Sequence, residues 1–214
     1  MKINNWLHYV MLVGIFMFFT YAFVVYLQND SVVRASLSGQ YSNKIINNYL
    51  ESRKKWAWMG YAFVPVLILI RTLVIAFLMQ MAIFFMNPEQ EDEPKFSQYW
   101  SITLFAEWAM LILVALKFIW FAFFQTDYDL TDLQTFNPLS LNDVIDISEL
   151  DYWVAYPLNL ISFWELLYWI FLVVGIKEFF KFSYWKSFLI VLSSYGIGLI
   201  IWVVFVMYLI LNAT

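Results

Sequence analysis

Five long stretches of the sequence carry almost no charge. Those at 7–27 and 188–211 contain no Asp, Glu, Lys or Arg, and those at 57–86, 100–124 and 157–176 share only four. A helix rises 1.5 Å per residue, so about 20 apolar residues cross a bilayer core of about 30 Å. The stretches lack the alternation of a membrane β-barrel. The sequence therefore predicts an all-α polytopic transmembrane bundle of about five spans, forming a single integral membrane domain over 1–214.

The composition excludes an ordinary soluble domain. Hydrophobic residues make up 63% of the chain and charged residues 13%, whereas soluble domains average about 25% charged residues. Twelve Lys and Arg against sixteen Asp and Glu give a net charge of −4. Without a basic surplus, no nucleic-acid partner is expected. The first predicted partner is the lipid bilayer itself.

A short amphipathic surface helix is expected in the loop 125–156. This loop contains seven acidic residues and no Lys or Arg. Ser140 is a suitable N-cap, and apolar residues recur after it at helical spacing. These apolar residues are Leu141, Val144, Ile145 and Leu150. Asp127, Asp129 and Asp132 resemble part of a calcium loop, but the glycine and the final glutamate of that motif are missing, so no metal site is predicted.

The basic residues leave the orientation of the termini undetermined. With five spans, each side of the membrane receives five basic loop residues, so the positive-inside rule gives a tie. One side has Lys2, Lys95, Lys177, Lys181 and Lys186, and the other has Arg34, Lys44, Arg53, Lys54 and Lys55. A re-entrant segment 57–86, bent near Pro65 and Arg71, would change the count to nine against one. Five spans are the favoured interpretation, and the re-entrant segment is the alternative.

Four charged residues lie inside the predicted spans: Arg71, Glu107, Lys117 and Glu165. Each costs about 2.5 to 3.5 kcal/mol at the bilayer centre unless it is paired or hydrated. Lys117 and Glu165 are predicted to lie roughly 11 to 12 Å below the same surface, so they are expected to pair. Pairing of Arg71 with Glu107 requires a tilted or displaced second helix. We identify no further polar residues joining the four, which favours structural charge pairs over an ion relay.

The last predicted span contains a group of small residues: Ser193, Ser194, Gly196 and Gly198. Small side chains let transmembrane helices approach closely. We therefore predict that these residues form a helix-packing face.

Sequence motifs for catalysis are absent. The chain has no cysteine and one histidine, His8, beside aromatic residues at the first predicted membrane interface. Phosphate-loop, zinc-protease, serine-hydrolase and dinucleotide motifs do not occur. The sequence therefore predicts no catalytic residue, no metal site and no cofactor, and it argues against an enzyme.

The second half of the chain resembles the Yip family of five-span membrane proteins. The resemblance is carried by FSQYWSITLFAEW, NPLSLND, PLNLISFWELLYWIFLVVGIK and KFSYWKSFL. Positions typical of bacterial members are occupied by Asn159, Phe163, Trp164, Gly175 and Lys186. The resemblance implies a non-enzymatic integral membrane protein; eukaryotic relatives are partners of trafficking GTPases, and bacterial members have no agreed role.

These features lead to two main functional hypotheses. The first is a scaffold or accessory subunit that binds another membrane protein or a second copy of itself. The alternative is a transporter or channel component that uses the intramembrane charges; a self-protection protein against a membrane-active toxin is a third hypothesis. Because transporters often contain internal repeats or broken helices, and the sequence shows no convincing repeat, the scaffold is favoured. The abundance of Asn, Ile, Lys, Tyr and Phe resembles AT-rich bacterial genomes and suggests the bacterial inner membrane.

Overall fold

The computed structural model describes residues 4–86, 94–141 and 150–213. This part of the chain folds into nine α-helices and three π-helical turns. The α-helices are α1 Asn5–Ala22, α2 Asp30–Leu37, α3 Asn43–Met86, α4 Phe96–Ile119, α5 Leu130–Thr135, α6 Tyr152–Leu160, α7 Phe163–Phe180, α8 Tyr184–Val191 and α9 Ile197–Ala213. The π-helical turns are Phe23–Leu27, Trp120–Phe124 and Leu192–Gly196.

Four helical segments of the described chain are long and apolar enough to cross a membrane. They are Asn5–Leu27, Asn43–Met86, Phe96–Phe124 and Tyr184–Asn212. Each contains one of the predicted stretches 7–27, 57–86, 100–124 and 188–211. The predicted all-α transmembrane bundle is therefore confirmed.

Helix α3 runs without interruption from Asn43 to Met86. Its 44 residues extend for roughly 66 Å, about twice the thickness of a bilayer core. Pro65 lies inside the helix, and its carbonyl accepts a hydrogen bond from the Tyr9 hydroxyl at 2.7 Å. Because the helix makes no turn near Arg71, the re-entrant alternative for 57–86 is wrong.

The predicted span 157–176 is not one helix. Helix α6 ends at Leu160, and α7 begins at Phe163. Between them, Ser162 is extended, with φ −140° and ψ 159°, and its side chain caps α7 by accepting from the Glu165 amide at 3.2 Å. Neither half is among the four long apolar helices. The single span predicted here is therefore corrected to a discontinuous pair of helices.

The interruption between α6 and α7 pairs with a segment from the preceding loop. The Leu141 amide donates to the Ile161 carbonyl at 3.0 Å, and the Phe163 amide donates to the Leu139 carbonyl at 2.9 Å. These two bonds form an isolated antiparallel bridge between Ser140 and Ser162. The bridge satisfies backbone groups that a continuous helix would have paired internally.

Most of the residues that were predicted to form the surface helix, 142–149, lie outside the described residues. Ser140, its predicted N-cap, belongs to the bridge, and its buried hydroxyl has no hydrogen-bond partner in the described chain. Asp129 and Asp132, compared above with a calcium loop, form a capping box at the start of α5. Asp129 accepts from the Asp132 amide at 2.7 Å, and Asp132 accepts from the Asp129 amide at 3.0 Å.

Two basic residues on the first part of α3 contact the polar segment that precedes this helix. Lys54 forms an ion pair with Asp30 at 2.5 Å, and Arg53 donates to Gln28 at 3.1 Å. The Lys54 hydrogen bond holds the pKa of the Asp30 carboxyl below its usual value. Any stabilisation from this pair is therefore lost as the pH falls through that lowered pKa.

Helix α4 is at the centre of the bundle and packs mainly on α7, α1 and α3. It runs antiparallel to α7, because the Tyr99 and Phe180 rings lie 5.2 Å apart and Tyr168 contacts Glu107. Thr72, 14 residues before the end of α3, accepts from the Trp100 indole at 3.2 Å, only four residues into α4. This ten-residue offset displaces α3 along α4 by roughly 15 Å.

Gly175 allows the close packing of α4 and α7. A Cβ at this position would lie 2.6 Å from Cγ2 of Ile102, a β-branched side chain with little rotamer freedom in a helix. We predict that Gly175→Ala destabilises the protein by about 1–3 kcal/mol through overpacking. Gly14→Ala is the matched control, since its Cβ would meet nothing within 4 Å. Thermal unfolding in detergent measures both, and equal midpoints for the two variants would contradict this packing.

Candidate functional site: an intramembrane polar cluster

Arg71 and Glu107 form an ion pair in the central part of their spans. The Arg71 Nε lies 3.3 Å from the Glu107 Oε1. The Glu107 side chain is 1% exposed, whereas the Arg71 side chain is 39% exposed. The guanidinium carbon also lies 4.8 Å from the ring centroid of Tyr168, a distance typical of a cation–π contact. The ion pair thus joins α3 to α4.

Two tyrosines connect this ion pair to Glu165. The Tyr168 hydroxyl donates to the Glu107 Oε1 at 3.3 Å, and the Tyr195 hydroxyl donates to the Glu165 Oε1 at 2.7 Å. The two tyrosine rings are 5.2 Å apart. Arg71, Glu107, Glu165, Tyr168 and Tyr195 therefore form one group, called the polar cluster below.

Two local irregularities of the fold position the cluster. Because α7 restarts at Phe163, Glu165 lies in its first helical turn and its Oε1 also accepts from the Trp169 indole at 3.0 Å. Tyr195 lies in the π-helical turn Leu192–Gly196. A π-helical turn adds a residue to the helical repeat and is frequent at functional sites. The cluster thus depends on a broken helix on one side and a π-helical turn on the other.

The predicted pairing of Lys117 with Glu165 is not formed. The Lys117 ammonium lies 5.9 Å from the Phe23 ring, and no ion pair of Lys117 occurs within the described ranges. Glu165 is instead held by Tyr195 and Trp169. The depth calculation assumed one helix beginning at residue 157. In the structure α7 begins six residues later, after an extended break. Counting helical residues from 157 therefore gives the wrong depth for Glu165 in the membrane.

The predicted small-residue group lies at helix contacts. A Cβ on Gly196 would lie 2.8 Å from the Trp169 ring, and a Cβ on Gly198 would lie 2.7 Å from Leu78. Ser193 donates to the Met86 sulfur at 3.5 Å, and Ser194 donates within its own helix to Ile190. Gly196 therefore lets the last span approach α7, next to the cluster.

His8 is half-buried in the structure. Its Nε2 accepts a hydrogen bond from the Trp108 indole at 3.0 Å, and the two rings stack with centroids 6.3 Å apart. Within the described residues, no group of three His, Cys, Asp or Glu side chains is placed to hold a metal ion.

Sequence reasoning did not identify Tyr168, Trp169 and Tyr195 as members of the site. A helical spacing of three and four residues places Tyr168 and Trp169 beside Glu165, so a signal was present for these two. Tyr195 has no local signal, because its contact with Glu165 joins two separate helices. The inference that no polar residues connect the intramembrane charges is wrong for Arg71, Glu107 and Glu165.

Comparison with known proteins gives no relative: no family model, no curated protein and no solved structure matches this chain.

The ion pair generates a stability prediction. Arg71→Gln leaves the buried Glu107 without its cation, and we expect a loss of about 3–5 kcal/mol. Combining Arg71→Gln with Glu107→Gln should restore part of that loss. Lys117→Gln is the control, because Lys117 has no ion pair among the described residues. Thermal unfolding of the purified variants measures the effect; an Arg71→Gln variant as stable as Lys117→Gln would show that the pair does not stabilise the fold.

Proposed function

We propose that this chain is a transporter or channel component that uses its intramembrane charges. The observation that carries the proposal is the discontinuous pair α6–α7, which restarts beside the buried ion pair and places Glu165 in the polar cluster. In known transporters, substrate and ion sites near the bilayer midplane are typically built from discontinuous helices. Ionisable residues within a span commonly mark ion or substrate pathways.

The exposure of the cluster further supports transport. A purely structural ion pair is best protected on all sides, because water weakens the interaction. Here Glu107 is buried, but the Arg71 side chain keeps 39% of its surface exposed, and Glu165 is half-buried. Glu107 is thus enclosed, whereas Arg71 and Glu165 lie at the outer surface of the described bundle, where a charged group needs water or another polar group as a partner.

A second candidate function is that of a scaffold or accessory subunit. Helix α9 has no buried residue among those whose side chains are described, and it packs mainly on α6. A helix with so few protein contacts leaves a large apolar surface for another membrane protein or a second copy of the chain. The acidic loop 125–156 is a further candidate contact.

Three broader expectations accompany either function. We propose a non-enzymatic role, membership of the Yip family, and a bacterial inner-membrane location. They rest on the missing catalytic motifs, on the sequence segments that carry the resemblance, and on the amino-acid bias of the chain.

Ion movement through reconstituted protein tests the transport proposal. Proteoliposomes adsorbed on a solid-supported electrode would receive concentration jumps of H⁺, Na⁺, K⁺ and Cl⁻ in turn. We expect the wild-type protein to give a transient current with at least one ion, and Glu165→Gln to lose it because the cluster loses an ionisable group. Glu178→Gln is the matched control, since Glu178 is exposed and pairs with Lys177 and Lys181.

A current of equal size in the wild type and in Glu165→Gln would show that the ion moves without Glu165, and it would contradict the proposed role of the cluster. The absence of a current with all four ions would contradict the transport proposal and favour the accessory subunit.

A further inference from the structure

We infer that the interruption between α6 and α7 binds a sodium ion, held by side-chain oxygen atoms of Asn137, Ser140 and Ser162. A role for this ion in transport rests on the proposed function, since it names the ion that the protein would move. The binding itself follows from the oxygen atoms that meet at the interruption.

The interruption lies in the central part of the bundle. The rings of Phe105 on α4 and Phe171 on α7 are 5.1 Å apart. Because α4 and α7 are antiparallel, eight residues onward along α4 and eight residues back along α7 bring Leu113 roughly level with Phe163. Leu113 belongs to the central part of the long apolar segment Phe96–Phe124. Non-helical backbone at this depth occurs where it is buried in protein or lines a water-filled cavity.

Two side-chain oxygen atoms are buried at the interruption without a hydrogen-bond partner in the described chain. They are Oδ1 of Asn137 and Oγ of Ser140, and Ser140 is only 4% exposed. Asn137 Nδ2 donates to the Asn159 carbonyl at 3.5 Å, which places this amide beside the end of α6. Buried polar atoms in folded proteins nearly always have a partner, so each exception requires an explanation such as a bound ion or water.

The backbone brings these oxygen atoms close to a third, the Ser162 hydroxyl. The two bonds of the bridge join the neighbours of Ser140 and Ser162 rather than the two serines themselves. In such a pair the Cα atoms are about 4.5 Å apart and the side chains lie on the same face. Asn137 precedes Ser140 by three residues, with a turn at 138–139 between them. The three side chains therefore converge where α6 ends and α7 begins.

The chemistry of these groups favours a small monovalent cation. An amide oxygen and two hydroxyl oxygens are hard, neutral ligands, whereas Ca²⁺ and Mg²⁺ sites normally include carboxylates. Glu165, three residues after Ser162, has its Oε1 bonded by Trp169 and Tyr195. Potassium filters surround their ion with rings of carbonyl groups from four loops. In transporters with discontinuous helices, unwound backbone and the C-terminal ends of half-helices coordinate Na⁺, and the end of α6 lies at this position.

The sodium site is one helical turn from the polar cluster. Ser162 accepts from the Glu165 amide at 3.2 Å, so the proposed ligand and this member of the cluster share the first turn of α7. A carboxylate at this separation attracts a cation, and the attraction is stronger inside a protein than in water. A bound ion would also join the segment 139–141 to α7. Release of the ion would weaken that connection, which couples ion binding to the contact between the two segments.

Thermal unfolding of the full-length protein in detergent tests the inference, with NaCl, KCl or choline chloride at the same ionic strength. A ligand that binds only the folded state raises the unfolding midpoint as its concentration increases. We expect the wild-type midpoint to rise with Na⁺, by about 3–5 °C for each tenfold increase above its Kd, and to stay constant with K⁺ or choline. Ser140→Ala should lose the rise because it lacks one ligand.

Ser187→Ala is the matched control. It removes another buried hydroxyl that has no partner in the described chain, but one that lies on α8. This variant should keep the response to Na⁺. A response retained in Ser140→Ala would overturn the proposed site.

Equal wild-type midpoints in NaCl and choline chloride would overturn the inference and leave a water molecule as the partner of the two oxygen atoms. Equal rises with Na⁺ and K⁺ would overturn the assignment to sodium. Both comparisons use the wild type, so they decide the matter even if a variant fails to fold. A Na⁺-dependent midpoint without an ion current would keep the sodium site and reject the transport function. A current carried by another ion, without the Na⁺-dependent midpoint, would do the reverse.

Discussion

The ion pair between Arg71 and Glu107 is the constraint around which the bundle is arranged. A charge in the central part of a span requires a partner, because neither lipid nor an apolar core replaces its hydration. The Arg71 Nε lies 3.3 Å from the Glu107 Oε1, so the pair joins α3 directly to the central helix α4. The neighbouring Thr72 bonds Trp100 and Thr103 of α4. The contacts of the longest helix with α4 thus include a buried charge and its counter-ion.

Two departures from regular helix complete the surroundings of this pair. The break after Leu160 lets α7 restart with Glu165 in its first turn, and the π-helical turn Leu192–Gly196 holds the tyrosine that bonds Glu165. Unpaired backbone groups are costly within a membrane, so the extended residues of the break are bonded by the segment 139–141. Irregular backbone in a span, together with buried ionisable groups, is typical of sites where ions or substrates bind. This combination is the basis for preferring transport over a scaffold.

The sequence was sufficient to predict the helical membrane class and the stretches that contain the four long apolar helices, because an apolar run of about 20 residues matches the thickness of a bilayer core and is unusual in a soluble domain. It also identified Arg71, Glu107 and Glu165 as charges that need partners. It did not predict the break at Ile161–Ser162, since the apolar run continues through it and its stabilising bonds come from the segment 139–141 of the preceding loop. The assignment of Glu165 to Lys117 failed for the same reason: counting depth along a span assumes an uninterrupted helix. Tyr195 was missed because its contact with Glu165 is tertiary.

Charge exchange at the central pair measures most directly whether the Arg71–Glu107 contact organises the bundle. Arg71→Glu places three acidic residues in the cluster without a cation, and adding Glu107→Arg restores both charges with their positions reversed. We expect the reversed pair to recover folded, monodisperse protein in detergent relative to Arg71→Glu alone. Exchange of Lys117 with Glu165 should give no such recovery relative to Lys117→Glu, because those two side chains have different partners. Recovery from the Lys117 and Glu165 exchange, with none from Arg71 and Glu107, would contradict the arrangement described.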